Sequence, residues 1–334
     1  MLLSIVVPCF NEEHCIEEFH RRTKSACELP GIELEFVYVN DGSSDSTLSR
    51  LKSILQNEPR MKIVDLSRNF GKEIALTAGL DHARGDAAVP IDADLQDPPE
   101  VIPDLVEKWQ EGYNVVYAHR TQRIGETVVR KATASLFYRG MQATSGKLTL
   151  PANVGDFRLI DRKALNALQQ LREQHRFMKG LFTIIGFRQT AIDYERDPRF
   201  AGETKWSYWK LWNLSVEAIT SFTIVPLKIS TYFGLLVAIL AFIYSAYIIL
   251  KAILVGDPVP GFPSLIAIIA LLGGVQLIVL GVIGEYLGRV FNETKQRPLY
   301  FVQDIIADDA VGAAAGFEDH DSASSGTRTD DDHA

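Results

Sequence analysis

The chain has 334 residues, enough for one large domain or two small ones with ample material for a core. A hydrophobic content of 47% beside 23% charged residues is high for a purely soluble protein and points to a soluble part joined to a membrane part. The net charge of −8 sits mostly in the tail, where residues 308–334 carry eight acids against Arg328; the remaining body stands at −1, so no basic excess marks a nucleic-acid partner.

The opening MLLSIVVPCF lacks a basic n-region and runs straight into NEE, so it reads as a buried strand and not as a signal peptide. Cys9, Cys15 and Cys27 are confined to the first thirty residues, match no zinc pattern and cannot staple distant segments; they read as reduced thiols of a cytosolic compartment. Up to about residue 120, short β-rich runs alternate with helical stretches. LLSIVVP precedes EEHCIEEFHRRTKSA, LEFVYVN precedes SDSTLSRLKSILQ, MKIVDLS precedes KEIALTAGLDHA, and DAAVPID precedes PPEVIPDLVEKWQ, with NVVYAHR as a fifth strand. Apolar runs each followed by a helix imply a mostly parallel sheet covered on both faces. Such sheets bind ligands at the carboxyl ends of their strands. There the sequence collects Pro8 to Glu12, Asn40 to Ser43, Ser67 to Asn69 and Asp92 to Asp94.

PIDADLQDPPE, residues 90–100, places three aspartates and a glutamate behind one of these runs. In an extended segment Asp92 and Asp94 point to the same face, flanking Ala93. Two carboxylates with open positions suit Mg²⁺ or Mn²⁺, which typically completes its sphere with substrate phosphates. A D-x-D triplet alone is a weak signal; after a fourth parallel strand, with Asp41 closing the second, it is a strong one. Asp97 reads as an N-cap, since Pro98, Pro99 and Glu100 begin a helix.

Residues 125–205 are mixed. GETVVRKATASLFYRGMQATSGK reads as a basic amphipathic helix, and VGDFRLIDRKALNAL as a short extended piece leading into a helix. In KWSYWKLW, Trp206, Trp209 and Trp212 suit an amphipathic helix at a bilayer interface. Residues 230–250 and 262–284 are uncharged and each long enough to cross the hydrocarbon core of a bilayer. The short linker between them makes a hairpin. Lys228 before it, and Arg289, Lys295 and Arg297 after it, outweigh Lys251 in the linker, so both termini are expected in the cytoplasm. The tail beyond residue 308 lacks apolar material for a core and reads as disordered. No G-x-G-x-x-G follows a strand, and GMQATSGKL has the wrong spacing for a Walker A loop.

SIVVPCFNEE, VNDGSSDST, RNFGKEIALTAGLDHARGD, DADLQDPPE, GDFRLIDR and RFAGETKWSYWKL, in that order, resemble family 2 glycosyltransferases of the polyprenyl-phosphate type. The match is closest to the bactoprenol glucosyltransferase group, relatives of dolichyl-phosphate mannose synthase, and it covers residues 3 to about 300. The resemblance implies an α/β GT-A catalytic domain, Rossmann-like with a mostly parallel sheet, over residues 1–205. An interfacial helix at 206–228, a two-helix transmembrane hairpin at 229–288, a cytoplasmic segment at 289–307 and the acidic tail at 308–334 would follow. The implied activity is inverting transfer of a sugar, glucose first, from a UDP-sugar to undecaprenyl phosphate at the cytoplasmic face of the bacterial inner membrane. The product would serve a cell-envelope glycan or O-antigen modification, with a flippase and a polytopic glycosyltransferase downstream. The resemblance leaves room for a homo-oligomer.

Carried over by motif, Pro8, Phe10 and Glu12 would surround the nucleoside, and Asp41 would accept from the uracil ring. Asp92, Ala93 and Asp94 would meet the diphosphate, with Asp92 and Asp94 on Mg²⁺ or Mn²⁺ and Asp94 counted with the catalytic groups. Asp156 in GDFRL matches the position assigned as catalytic base. Arg199 and Lys205 match residues thought to meet phosphates, and Arg120 and Arg123 lie in segments suited to the acceptor phosphate. Thr204 and Trp206 stand where relatives often carry Ser and Tyr. A phosphate monoester has its second pKa near ~6, so the nucleophile is largely dianionic at neutral pH. Asp156 therefore remains open between proton removal, positioning of the acceptor or an arginine, and capping a helix near Asp161. A processive polysaccharide synthase would need a Q-x-x-R-W signature and further spans. A non-catalytic membrane-anchored nucleotide-sugar sensor would leave Asp156 without a task.

Overall fold

The computed structural model describes residues 1–121, 154–174, 176–197, 225–255 and 261–307. The chain begins with β1 (Leu2–Cys9), α1 (Ile16–Ala26), β2 (Glu33–Asn40), α2 (Thr47–Leu55), β3 (Met61–Leu66), α3 (Lys72–His82) and β4 (Ala87–Pro90). A 3₁₀ turn (Pro99–Val101) leads into α4 (Ile102–Gln110) and β5 (Val115–Arg120); β6 (Val154–Asp161), α5 (Arg162–Gln169), α6 (Met178–Ile184) and β7 (Gln189–Tyr194) follow. Two long helices, α7 (Val225–Val255) and α8 (Phe262–Thr294), precede a last strand, β8 (Val302–Ala307).

Among the described residues these strands make one sheet in the order β7-β5-β6-β4-β1-β2-β3-β8. β1 pairs in parallel with β2 and β4, β2 with β3, and β5 with β7, while β6 and β8 run antiparallel to their neighbours. β1 is apolar except for Ser4, in keeping with the cover on both of its faces. Leu3, Ile5 and Val7 pack with Phe36 and Tyr38 of β2 under Phe19, Leu51 and Leu105 from α1, α2 and α4. Val6, Val37 and Val39 face Leu76 and Leu80 of α3, Leu165 of α5 and Phe182 of α6. Asp161 caps α5 by accepting from Ala164 N at 2.8 Å, so that helix needs nothing from Asp156.

α7 and α8 are long and apolar enough to cross a membrane. Their apolar side chains lie bare, Phe242 at 81% and Leu277 at 71% exposure, which an aqueous surface of this extent does not tolerate. After α8 the chain returns to the sheet: β8 adds to the free edge of β3, an element that the apolar content of residues 289–307 did not announce. The expected interfacial helix lies outside the described residues except for Val225 to Lys228, which begin α7. The basic helix within 125–147 and the acidic tail also lie outside them.

One expectation is corrected. Asp97 is not an N-cap: Pro98 takes that position and no side chain caps the turn. Asp97 is buried and accepts from the Tyr194 hydroxyl at 2.5 Å, with Arg120 Nη2 at 3.3 Å and Arg196 Nε at 3.4 Å. It ties the loop after β4 to β5 and to the end of β7.

α3 approaches the sheet so closely that a Cβ on Gly79 would overlap Val6 Cγ1 and stand 3.0 Å from Val39 Cγ2. Gly79→Ala should therefore cost about 1–3 kcal/mol through overpacking, despite alanine's better helix propensity. A lowered thermal midpoint of the detergent-solubilised protein checks this; a raised one would show that the helix has room to move out.

Candidate active site

The loops after β1 and β2 hold each other at the carboxyl edge of the sheet. Asn11, with φ of 57°, donates from its backbone to Ser43 Oγ at 3.1 Å, and its side-chain oxygen accepts from Ser44 N at 2.9 Å. Glu12 N donates to Thr47 Oγ1 at 2.9 Å, and Ser46 N to Glu13 Oε2 at 3.0 Å. These bonds fix the backbone around Pro8, Phe10 and Glu12, and Phe10 projects its ring into solvent at 47% exposure. An apolar ring held out on a rigid loop is suited to stack on a planar ligand.

Asp41 closes β2 and is buried. Its Oδ1 accepts from Phe70 N at 2.7 Å and its Oδ2 from Gly71 N at 2.9 Å. Burial pushes its pKa up, against the pull of those two backbone donors. Each carboxylate oxygen keeps a second lone pair, so a ligand N–H can still be accepted. Gly42 has φ of +64°, and a Cβ there would stand 2.6 Å from Arg68 C and Asn69 N. The 67–71 loop therefore lies directly against the end of β2.

Asp92 and Asp156 meet through a lysine that motif reasoning missed. Lys72 opens α3, and its Nζ lies 2.7 Å from Asp92 Oδ2 and 3.1 Å from Asp156 Oδ2. Asp92, whose pKa burial raises, thus shares one cation with Asp156 from β6. Asp156 Oδ1 is buried and, among the described residues, has no hydrogen-bond partner. Burial opposes its charge, but Lys72, Lys179 and Arg158 overcome that and hold its pKa at about 2. Glu73 goes the other way: burial and the neighbouring Asp156 raise it to about 7, while it accepts from Met178 N at 2.9 Å. Asp156 takes the charge, while Glu73 titrates close to neutrality. Lys72, Glu73, Arg158 and Lys179 were not foreseen, although Lys72 and Glu73 stand in the quoted RNFGKE run.

Asp94 is buried after Ala93, and its Oδ1 accepts from Gln96 N at 3.1 Å. The turn is completed by Leu95 at φ of 58°, an unusual conformation for a branched apolar residue and a local strain at this edge. Among the described residues no three His, Cys, Asp or Glu side chains form a protein-only cage for a metal ion. Two aspartates beside an orphaned carboxylate oxygen do fit Mg²⁺ or Mn²⁺ that arrives with a diphosphate.

Arg120 is engaged inside the fold. Its Nε donates to the Tyr194 hydroxyl at 2.9 Å and its Nη2 faces Asp97. It passes close to Gly155, where a Cβ would stand 2.5 Å from that same Nη2. Glycine at that position lets the guanidinium reach Asp97. Arg123, Arg199 and Lys205 lie outside the described residues.

A mostly parallel sheet covered on both faces, with interlocked loops and paired aspartates at its strand ends, defines a glycosyltransferase of GT-A fold. The glycosyl transferase family 2 profile matches residues 4–169, and the GtrB C-terminal hairpin profile matches residues 225–290. Over 303 residues the chain is 54% identical to the uncharacterized glycosyltransferase sll0501 of Synechocystis sp., covering 91% of this chain and 95% of that protein. It is 46% identical over 306 residues to the bactoprenol glucosyl transferase of Shigella phage SfV, covering 91% of this chain and 98% of that one. Among solved structures it is similar to glucosyl-3-phosphoglycerate synthase from Mycobacterium tuberculosis, in complex with Mn²⁺, UDP-glucose and phosphoglyceric acid. That likeness is 21% identical with a TM-score of 0.46, over 66% of this chain and 78% of that one. The chain belongs to glycosyl transferase family 2.

Tyr194→Phe removes the short donor to buried Asp97. It should cost about 1–3 kcal/mol, the desolvation of an acceptor left short of a partner, read as a lower thermal midpoint than wild type. An unchanged midpoint would show that Arg120 and Arg196 satisfy Asp97 alone.

Proposed function

We propose that the protein transfers a sugar, glucose first, from a UDP-sugar to polyprenyl phosphate at the cytoplasmic face of the membrane, with inversion at the anomeric carbon. The observation that carries this reading is the Lys72 bridge between Asp92 and Asp156, which we read as joining the donor diphosphate to the reacting centre. Support for the acceptor comes from the relatives named as bactoprenol glucosyl transferases and from the hairpin they share with this chain. The basic residues flanking the hairpin, Lys228, Arg289, Lys295 and Arg297, support cytoplasmic termini.

In this reading Phe10 stacks on the nucleoside, Asp41 accepts from the base, and Pro8 and Glu12 shape the loop between them. Asp92 and Asp94 would hold Mg²⁺ or Mn²⁺, which supplies charge neutralisation for the departing diphosphate. An oxygen of the acceptor phosphate forms the new bond to the anomeric carbon while the bond to the diphosphate breaks, and UDP leaves with the electron pair. Arg123, Arg199 and Lys205 meet the acceptor phosphate; Arg120 supports that side from its seat on Asp97. A carboxylate held near 2 is a poor proton acceptor at neutral pH. Asp156 therefore acts by charge and position, fixing Lys72 beside the reacting groups, and the dianionic acceptor needs no base.

Two measurements test the reading. With undecaprenyl phosphate and a panel of UDP-sugars, Asp94→Asn should abolish transfer and chelator should inhibit the wild type; full activity of Asp94→Asn in chelator would sink the metal assignment. The acid limb of the pH–rate profile should follow the acceptor phosphate, near ~6. Asp156 stays ionised well below that limb, since its folded pKa is depressed and its charge is lost only as pH falls towards about 2. Asp156→Asn should thus lower kcat without moving the limb, whereas a limb that disappears in the variant would restore the base role.

A further inference from the structure

We infer that the C-terminal strand is part of the donor site: Phe301, at the entry to β8, is a positioning residue that holds the 67–71 loop against Asp41. This rests on the reading that Asp41 and its loop take the nucleoside.

The loop carries two functions at once. Its Phe70 and Gly71 amides orient the Asp41 carboxylate, and its last residue leads directly into Lys72. Yet Ser67, Arg68 and Asn69 are exposed, and little of the loop is buried in the core. From the side of β2 it is limited by the close approach of Gly42. From the opposite side it is limited by the C-terminal segment. Ser67 N donates to Phe301 O at 3.0 Å, and the Phe301 ring meets the Phe70 ring at a centroid distance of 6.4 Å and 48°. Arg68 covers Phe70 at 4.6 Å from the ring centroid. The β3–β8 register shifts between Asp65 and Leu66, and the last ladder pair, Leu66 with Val302, adjoins the Phe301 contacts.

The strand that supplies Phe301 is itself fastened close to the end of α8. Only residues 295–301 separate α8 from β8. Gln174 N donates to Glu293 Oε1 at 2.8 Å, Gln174 Nε2 to Arg297 O at 2.6 Å, and the Tyr300 hydroxyl to Asp81 Oδ2 at 2.9 Å. Docking of the hairpin's exit segment and the shape of the nucleoside site are therefore linked through seven residues.

The test uses the full-length protein in lipid nanodiscs, with UDP as the probe in calorimetric titrations and separate kinetic titrations of donor and polyprenyl phosphate. Phe301 is 57% exposed, so Phe301→Ala should fold. Losing one aromatic pair is expected to weaken UDP about threefold to tenfold. The donor KM should rise in step and the acceptor KM should stay unchanged, and Phe301→Tyr should restore both donor values. A general loss of structure would move the two KM values together. Asp41→Ala serves as the reference for the site itself. Wild-type UDP affinity in Phe301→Ala, beside lost affinity in Asp41→Ala, overturns the role of the strand alone. Absence of UDP binding by the wild type, or full binding by Asp41→Ala, overturns the donor-site reading and the role of Phe301 with it.

Discussion

Carboxylates drawn together and partly out of water need cations, and the layout of this protein's working edge follows from that demand. The sheet brings Asp92 from the end of β4 and Asp156 from β6 to one place, in surroundings that push carboxyl pKa values upward. Neither charge could be drawn from water without a partner except at a cost in free energy. Lys72 answers both, reaching in from the first turn of α3. Arg158 and Lys179 add to the field at Asp156; Arg158 is held over the Phe182 ring at 3.8 Å and donates to Gly155 O at 2.8 Å. The arrangement leaves Asp156 charged, and that charge together with burial pushes Glu73 up to about 7.

The strands and helices of the first 120 residues were legible because each apolar run is long, uninterrupted and followed by a helical stretch. Asp92 and Asp94 were legible for a related reason: a strand end is a fixed address in this architecture. Asp97 was misread because D-P-P-E is a good local helix start, and local chemistry was all that the sequence displayed. Its real partners, Arg120 and Tyr194, lie 23 and 97 residues away, and burial decides in their favour. Lys72 was hidden by the same limit. A lysine at the first turn of a helix looks like an ordinary surface charge until the third dimension sets two carboxylates against it. β8 was hidden by length, since six residues between a membrane helix and a polar tail carry too little pattern to separate from a connector.

β8 also solves a problem that the core strands create. β3 would otherwise end the sheet with a row of unpaired backbone groups, a template for association with other chains. The antiparallel strand covers that row and joins Ile306 to the core beneath α2. Because the same segment leaves α8, the edge that needs covering and the helix that needs anchoring are served by one stretch of chain.

The protonation pattern fits the nature of the proposed acceptor. A sugar hydroxyl is a weak nucleophile whose proton must be removed as it attacks, which calls for a carboxylate tuned upward towards neutrality. Such a tuned group exists here, but it is Glu73, which is committed to the Met178 amide and faces α6. Asp156, which we propose at the reacting centre, is tuned downward, to about 2, and is paired with a lysine. That is the wrong setting for a base and a suitable one for a fixed anion that orients a cation. A nucleophile that arrives already charged, as a phosphate does, asks for an oriented cation and not for proton removal. A lysine fixed between Asp92 and Asp156 is such a cation, and its placement suits an anionic acceptor.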